Sequence, residues 1–469
     1  MEQKSSTLFT TKTELITGLI ATLVIGLVVL LFQSPTILAG LVLCLVGGIT
    51  VWYFHAYFPL FLFLLLPFSI ELQITSTTRL TVPTEPMIVL IVLFFLFTVL
   101  VRCKIVYYSS TLNFAVGLMY LVMLSGIAIS QEPFSTYKAI IRDTGYILVG
   151  YYFIPLYVNS ENRLKHIIYA GLVIHTLLVL YGFASQMVMG FDIYGDVGYP
   201  FFLEHCVYAA FITISFSILL AYMLDYRTRE QKPWLPVLTG FFALGIVLTF
   251  VRAAWLSIFF LLVFYLYQFR NRRAVVNLIM ILLVCMLLGI ATLVSTKIGS
   301  ILIDRAASIT DLNYTANYDR IDRWLAAWDM WKDYPIAGVG WGAYPDMYFD
   351  YQTELEAFSR DMRMGAHNLY LELMAETGVI GLAVFLFMMY MFFRESFIVL
   401  FLTKSRFRQV FIIGLQGAMI TYLFHAFVNN LGPSDKIAIT FWFSLGIIPA
   451  LKNLAMEEQN IQTKTAATN

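Results

Sequence analysis

The stretch Arg363–Gly381, RMGAHNLYLELMAETGVIG, begins as a polar loop and ends inside an apolar run. His367 stands at the junction, and Asn368, Glu372 and Glu376 follow it at i, i+4 and i+8. That spacing puts the three on one helical face, as a polar stripe on the order of 12 Å long. A helix N-terminus has positive potential and free N–H groups, so an imidazole there is held neutral. Neutral imidazole can take a proton as a general base; the plainer role is an interfacial histidine that caps the helix. A carboxylate within hydrocarbon is costly and generally faces a cavity or a partner. For Glu376 the alternative is a hydrogen bond between helices.

Arginine supplies the second chemistry. Arg252, in LTFVRAAWLS, interrupts an almost continuous apolar stretch from Leu235 to Phe269. Arg320 and Arg323 lie in YDRIDRWLAAWDMWKDYP, and Arg142 with Lys138 in STYKAIIRDTG. A guanidinium stays charged and offers phosphate a planar fork of donors. Each has a plainer reading: a snorkelling anchor for Arg252, and solvated partners of Asp319 and Asp322 for Arg320 and Arg323. Glu204 and His205, in EHCVYAAF, open a further apolar run, where packing or an interfacial role suits them better than catalysis. Together Arg252, Arg320 and His367 describe a site for an anionic, lipid-linked substrate with a base beside it.

The chain that must position these groups has 469 residues, 60% of them hydrophobic and 13% charged, with a mean hydropathy of +0.78. Soluble chains are about 45–50% apolar and about 25% charged. The excess falls in runs of roughly 16–24 residues, enough to cross a bilayer core of about 30 Å. Helices are expected, since an open sheet would strand backbone groups in lipid. The expected fold is an all-α polytopic membrane bundle of about fourteen spans. They lie near Leu15–Phe32, Thr36–Val51, Trp52–Phe68, Pro86–Val101, Leu112–Ile129, Thr144–Val158 and His166–Val188. The rest are Phe202–Leu224, Trp234–Phe250, Ala253–Phe269, Val275–Ser295, Leu369–Phe393, Val410–Asn429 and Ile437–Leu451. Trp52–Phe68 follows its neighbour with almost no linker and also suits a re-entrant piece.

Lys and Arg concentrate in alternate loops, from Lys4 and Lys12 through Arg270, Arg272 and Arg273 to Arg394, Lys404, Arg406 and Arg408. The positive-inside rule then makes both termini cytoplasmic and the span count even. The polar N-terminus lacks a cleavable signal pattern, so the first run reads as a retained span. Thr296–Asn368 becomes one long outer loop, which divides the chain into a bundle over 1–295, the loop over 296–368 and C-terminal spans over 369–469. Within the loop, Ile321, Trp324, Leu325, Trp328 and Trp331 share one face of an amphipathic helix that ends before Pro335. Its expected seat is the bilayer surface, with Arg323, Asp322 and Asp329 turned largely elsewhere.

Several chemistries are excluded. The four cysteines are scattered, and no His/Glu spacing suits zinc, so no metal site and no cofactor is expected. GVGWG is followed by neither a Lys-Ser/Thr pair nor a strand–helix unit, so it is no phosphate-binding loop. The outer segment Ser69–Glu85 has only Glu71 and Glu85 as acids and lacks the pair used by many metal-dependent polyprenyl-phosphate-sugar transferases. Nothing points to nucleic acid.

RIDRWLAAWDMWKDYPIAGVGWGAYP, a gap, and AHNLYLELMAETGVIGL together resemble the core of the O-antigen ligase and O-antigen polymerase superfamily, over Arg320 to Leu382. Upstream, FVRAAWLS resembles its Arg-containing span, with Val251 in place of the usual small hydroxyl residue and Ala253 in place of the common Gly. The resemblance implies a GT-C-like bundle and a metal-independent, inverting transfer. The glycan would pass from an undecaprenyl-diphosphate carrier to an acceptor hydroxyl, outside the bacterial cytoplasmic membrane. By position, Arg252 and Arg320 would hold the diphosphate, assisted by Arg323 and Arg142. His367 would be the base, supported by Asn368, Glu372, Glu376 and His205. The implied partners are the lipid-linked donor, membrane lipid, an acceptor glycan or lipid A–core, and a chain-length regulator or other assembly proteins. Length and span number lean toward a polymerase; a ligase, or transfer to a polypeptide, is the alternative. A flippase for the same lipids is the rival class, but it would spread its ionisable groups to both faces.

Overall fold

The structure is a computed structural model that describes residues 58–73, 79–102, 108–190, 197–273, 275–277, 279–280, 315–352, 365–432 and 434–468. The expected spans Leu15–Phe32 and Thr36–Val51 lie outside these residues, as does most of Val275–Ser295.

Helices carry the fold: α1 (Phe58–Leu65), α2 (Thr84–Arg102), α3 (Thr111–Ile129), α4 (Pro133–Tyr146), α5 (Ile154–Tyr157), α6 (Glu161–Met189) and α7 (His205–Leu224). After them come α8 (Tyr226–Gln231), α9 (Leu235–Val247), α10 (Arg252–Gln268), α11 (Thr315–Asp333), α12 (Tyr344–Tyr351), α13 (Leu369–Leu402), α14 (Arg406–His425) and α15 (Asp435–Thr468). Among the described residues six stretches are long and apolar enough to cross a membrane: α3, α6, α7, α13, α14 and Asp435–Ile461 of α15. The chain is thus an all-α, multi-pass membrane protein. Of the sequence-derived span Trp52–Phe68, residues 52–57 lie outside the described residues, and the rest forms α1 and a single turn of 3₁₀ helix. The span Thr144–Val158 is the end of a longer rod, in which α4 runs through a π-helical stretch, Ile147–Phe153, into α5. The segment after α1 also holds a small antiparallel hairpin, β1 (Ile70–Gln73) with β2 (Arg79–Val82), in the register Ile70 to Val82.

α7 is the central post, buried along nearly its whole length and packed between α9, α10 and α14. α10 and α14 run antiparallel. Gln268 meets Gln416 at one end, and Phe260 stacks on Phe424 toward the other, with ring centroids 3.5 Å apart. The N-terminus of α10, with Arg252, therefore lies at the His425 end of α14. The start of α13 joins the same end, since the Leu369 N–H bonds the Ala426 carbonyl at 2.9 Å.

The opposite end gathers residues from the basic loops. Buried Asp225 holds Arg406 at 2.6 Å and lies 3.7 Å from Arg272. Arg408 reaches both oxygens of Glu458 at 2.5 Å, and Lys452 reaches Glu395 at 2.8 Å.

Candidate active site

α13 was expected as one continuous span, but it is two helical pieces joined at Gly378 (φ 64°, ψ −167°). That backbone region is open essentially to glycine alone. A break in a buried helix strands its backbone groups unless something pairs them. Here Pro335–Gly340 does so. The Val339 and Gly340 N–H groups donate to the carbonyls of Ala375 and Glu376 at 2.9 and 3.0 Å. Coming back, the Val379 and Ile380 N–H groups donate to Pro335 and Ile336 at 2.9 and 3.5 Å. AETGVIG and GVGWG are thus two halves of one joint. Gly340 (φ 120°) also presses on Ser130, where a Cβ would clash, and the Val339 carbonyl accepts from the Gln131 N–H at 2.8 Å. The joint therefore ties α13 to the α3–α4 corner.

Glu376 accepts from the Tyr344 N–H at 3.1 Å and so holds the start of α12. Glu372 takes the Ala366 N–H at 2.7 Å and the Asn430 amide at 2.9 Å, which clamps the residues just before His367. Asn368 caps α13, its Oδ1 accepting from the N–H groups of Tyr370 and Leu371. Of the polar stripe read from the sequence, Asn368 and Glu372 support the backbone around His367, while Glu376 supports the start of α12. His367 itself sits at φ 49°, one of two non-glycine residues with positive φ among the described residues; the other, Phe250, lies two positions before Arg252. Such conformations cost about 1–3 kcal/mol and persist where surroundings over-determine them.

His367 borders a cavity of about 1020 Å³ at this end of the bundle. Its wall mixes apolar and charged side chains. Met119, Leu373, Phe385, Met388, Phe441 and Trp442 are among its apolar groups, and its charged groups are Lys138, Arg142 and Lys436 with the acids Glu71, Asp143, Glu204, Asp346, Glu372, Glu376 and Asp435. Arg142 pairs with Asp143 at 2.8 Å, and Asp143 also accepts from the Trp341 indole at 2.7 Å. Lys436 lies 3.3 Å from Asp435. Burial pushes the His367 imidazole down to about 3, and the positive charges of Arg323 and Arg320 push the same way. Both effects favour the neutral imidazole, and burial, not the helix N-terminus invoked from the sequence, is the larger.

Arg320, Arg323 and Arg252 are not part of the cavity wall. Arg320 and Arg323 approach His367 closely enough for their charges to act on it. Arg252, the first residue of α10, shares the same end of the bundle. His205, the first residue of α7, is half-buried and does not line the cavity.

The charged face of α11 departs from expectation. A solvated face was the plainer of two readings for Arg323 beside Asp319 and Asp322, yet all three are buried with Ala326, Ala327 and Met330. The cause is a second layer: Tyr348 donates to Asp322 at 2.5 Å, and Tyr344 donates to the Arg323 carbonyl at 2.8 Å. Leu325 and Trp328 stay exposed on the far side, and Trp331 packs its ring 4.7 Å from that of Trp328. The sequence reading missed His425, Asn429, Asn430, Trp341 and Lys436. FHAFVNN, where polar residues close an apolar run, carried a signal for the first three. Among the described residues no three His, Cys, Asp or Glu side chains gather so as to hold a metal ion.

Residues 237–386 match a family described as O-antigen ligase. The chain contains an O-antigen ligase domain. That places it in the O-antigen ligase/polymerase superfamily. The matched ligase segment includes Arg252, Arg320, Arg323, His367, Asn368, Glu372 and Glu376, and leaves out Arg142, His205 and His425. No curated protein matches the chain.

Proposed function

We propose that this protein transfers a glycan from an undecaprenyl-diphosphate carrier to an acceptor hydroxyl, with His367 as general base. One observation carries the reading: a weakly basic, buried imidazole borders a large cavity lined by both apolar and charged side chains, with the charges of Arg320 and Arg323 acting on it. A cavity so lined suits an amphiphile, with prenyl carbons against its apolar side chains and an anionic head at Lys138, Arg142 and Lys436. About 300–1,000 Å³ is the usual range for small-molecule sites, so this one takes a large headgroup. In the reaction the acceptor oxygen bonds to the anomeric carbon and its proton passes to His367. The sugar–phosphate C–O bond breaks with inversion, and the lipid diphosphate leaves. Arg252, Arg320, Arg323 and Arg142 stabilise the charge that builds on the diphosphate, which is where preorganised donors help most. The His367 end faces outward and both termini face the cytoplasm, a reading supported by the basic loops gathered at the opposite end.

The O-antigen ligase match favours lipid A–core as the acceptor over the polymerase reading suggested by length. Purified protein given a defined undecaprenyl-diphosphate glycan should glycosylate lipid A–core. Elongation of a second lipid-linked glycan instead would make it a polymerase, and no transfer to either acceptor contradicts the proposal.

A further inference from the structure

Near His367, three side chains outside the cavity wall are buried and incompletely paired. His425 is 1% exposed and neither ring nitrogen has a partner; Asn429 is 2% exposed and its amide nitrogen has none. Arg323 is 4% exposed and leaves Nε and Nη1 unused, with only Nη2 near Asp319, at 3.7 Å. His367 Nδ1 is in the same condition. A buried polar group left unbonded costs about 1–3 kcal/mol, so several together call for a reason.

Helix capping does not provide it. At the end of α14 the carbonyls of Tyr422, His425 and Ala426 already accept from the N–H groups of Ala426, Val428 and Leu369. The Leu369–Ala426 backbone bond nonetheless sets His425 and the residues after it beside the start of α13, next to His367. Asn429 lies just past the end of α14, and its side chain hydrogen-bonds the His367 ring. The charge of Arg320 reaches both His367 and His425, and that of Arg323 reaches His367. The chemistry of the set is lopsided: guanidinium has donors only, an amide has two N–H donors, and a neutral imidazole has one. What completes a donor-rich, cationic, buried set is an acceptor-rich anion, and phosphate oxygens fit it best.

We infer that Arg323, His425 and Asn429 form an oxyanion pocket that takes one phosphate of the donor's diphosphate beside His367. The inference rests on the proposed transfer and adds His425 and Asn429 as donors that touch the leaving group. Both lie beyond the residues matched to the ligase family.

Binding by the full chain in detergent tests this without turnover, with inorganic pyrophosphate and farnesyl diphosphate as probes. Asn429→Asp supplies the missing anion from within. It should raise thermal stability without ligand and weaken both probes at least about tenfold, the value of one hydrogen bond to a charged group. His425→Leu should weaken them by about tenfold, whereas His425→Gln, which keeps a donor, should stay within about threefold. Should Asn429→Asp fail to fold, the Leu and Gln pair at position 425 decides. Absence of saturable binding by the wild type overturns the pocket, and so do variants that bind as the wild type does. Wild type that binds pyrophosphate, loses it in these variants, yet transfers no glycan would support the pocket and contradict the proposed function.

Discussion

His367 was legible from the sequence because its position, at the seam between polar loop and apolar run, is a property of order along the chain. Its partners were less so. For Arg323 the sequence left open a phosphate ligand or a solvated partner of its Asp neighbours, and only the layer of Tyr344 and Tyr348 shows why the pair with Asp319 is buried. The state of the imidazole can be checked by linkage. Its folded value, about 3, lies below the ordinary 6.5. Below pH 6.5 the unfolded chain therefore takes up a proton that the folded protein refuses, and stability falls as pH falls toward 3. At pH 5 the loss should reach up to about 2 kcal/mol. Thermal melts from pH 7.5 to 5 should thus show wild type losing more stability than His367→Gln. Parallel curves would mean that the ring is not buried neutral. A bound diphosphate offsets the Arg320 and Arg323 charges, so donor should flatten the wild-type slope.

At the scale of elements, hydrophobic runs predicted the long helices, since α3, α6, α7, α13 and α14 need only their own composition to exist. What sequence order could not show is the joint at Gly378. The break depends on hydrogen bonds from Pro335–Gly340, about forty residues upstream, and the local pattern of ELMAETGVIGLAVF reads as unbroken helix. Gly378→Ala puts a Cβ against the Ile336 carbonyl in a backbone region closed to alanine. Strain of about 1–3 kcal/mol should undock the GVGWG segment. Limited proteolysis should then cut near residues 335–344 while the helical content by circular dichroism is kept. Unchanged protection would show that the joint does not hold the loop.

For the whole molecule, the Lys and Arg distribution anticipated the grouping of basic loops at one end of the bundle, opposite His367. The inner face of α11 escaped prediction because its small residues, Ala326 and Ala327, give no hydrophobic signal against the tryptophans on the other side. The outward Trp328 and Leu325 leave that face free for the bilayer surface. If α11 seats the loop as a cover, Trp328→Ser with Trp331→Ser should lower transfer and raise released free glycan relative to product, because water then competes with the acceptor. A mutant that loses protein but keeps the ratio would make the face ordinary packing. The central claim, that His367 is the base of a transfer from a lipid diphosphate, is tested most directly by turnover of purified His367→Ala with a defined lipid-linked donor and acceptor. Transfer should fall by about 10²–10⁴-fold with donor binding near that of wild type; undiminished product formation by the folded variant would contradict it.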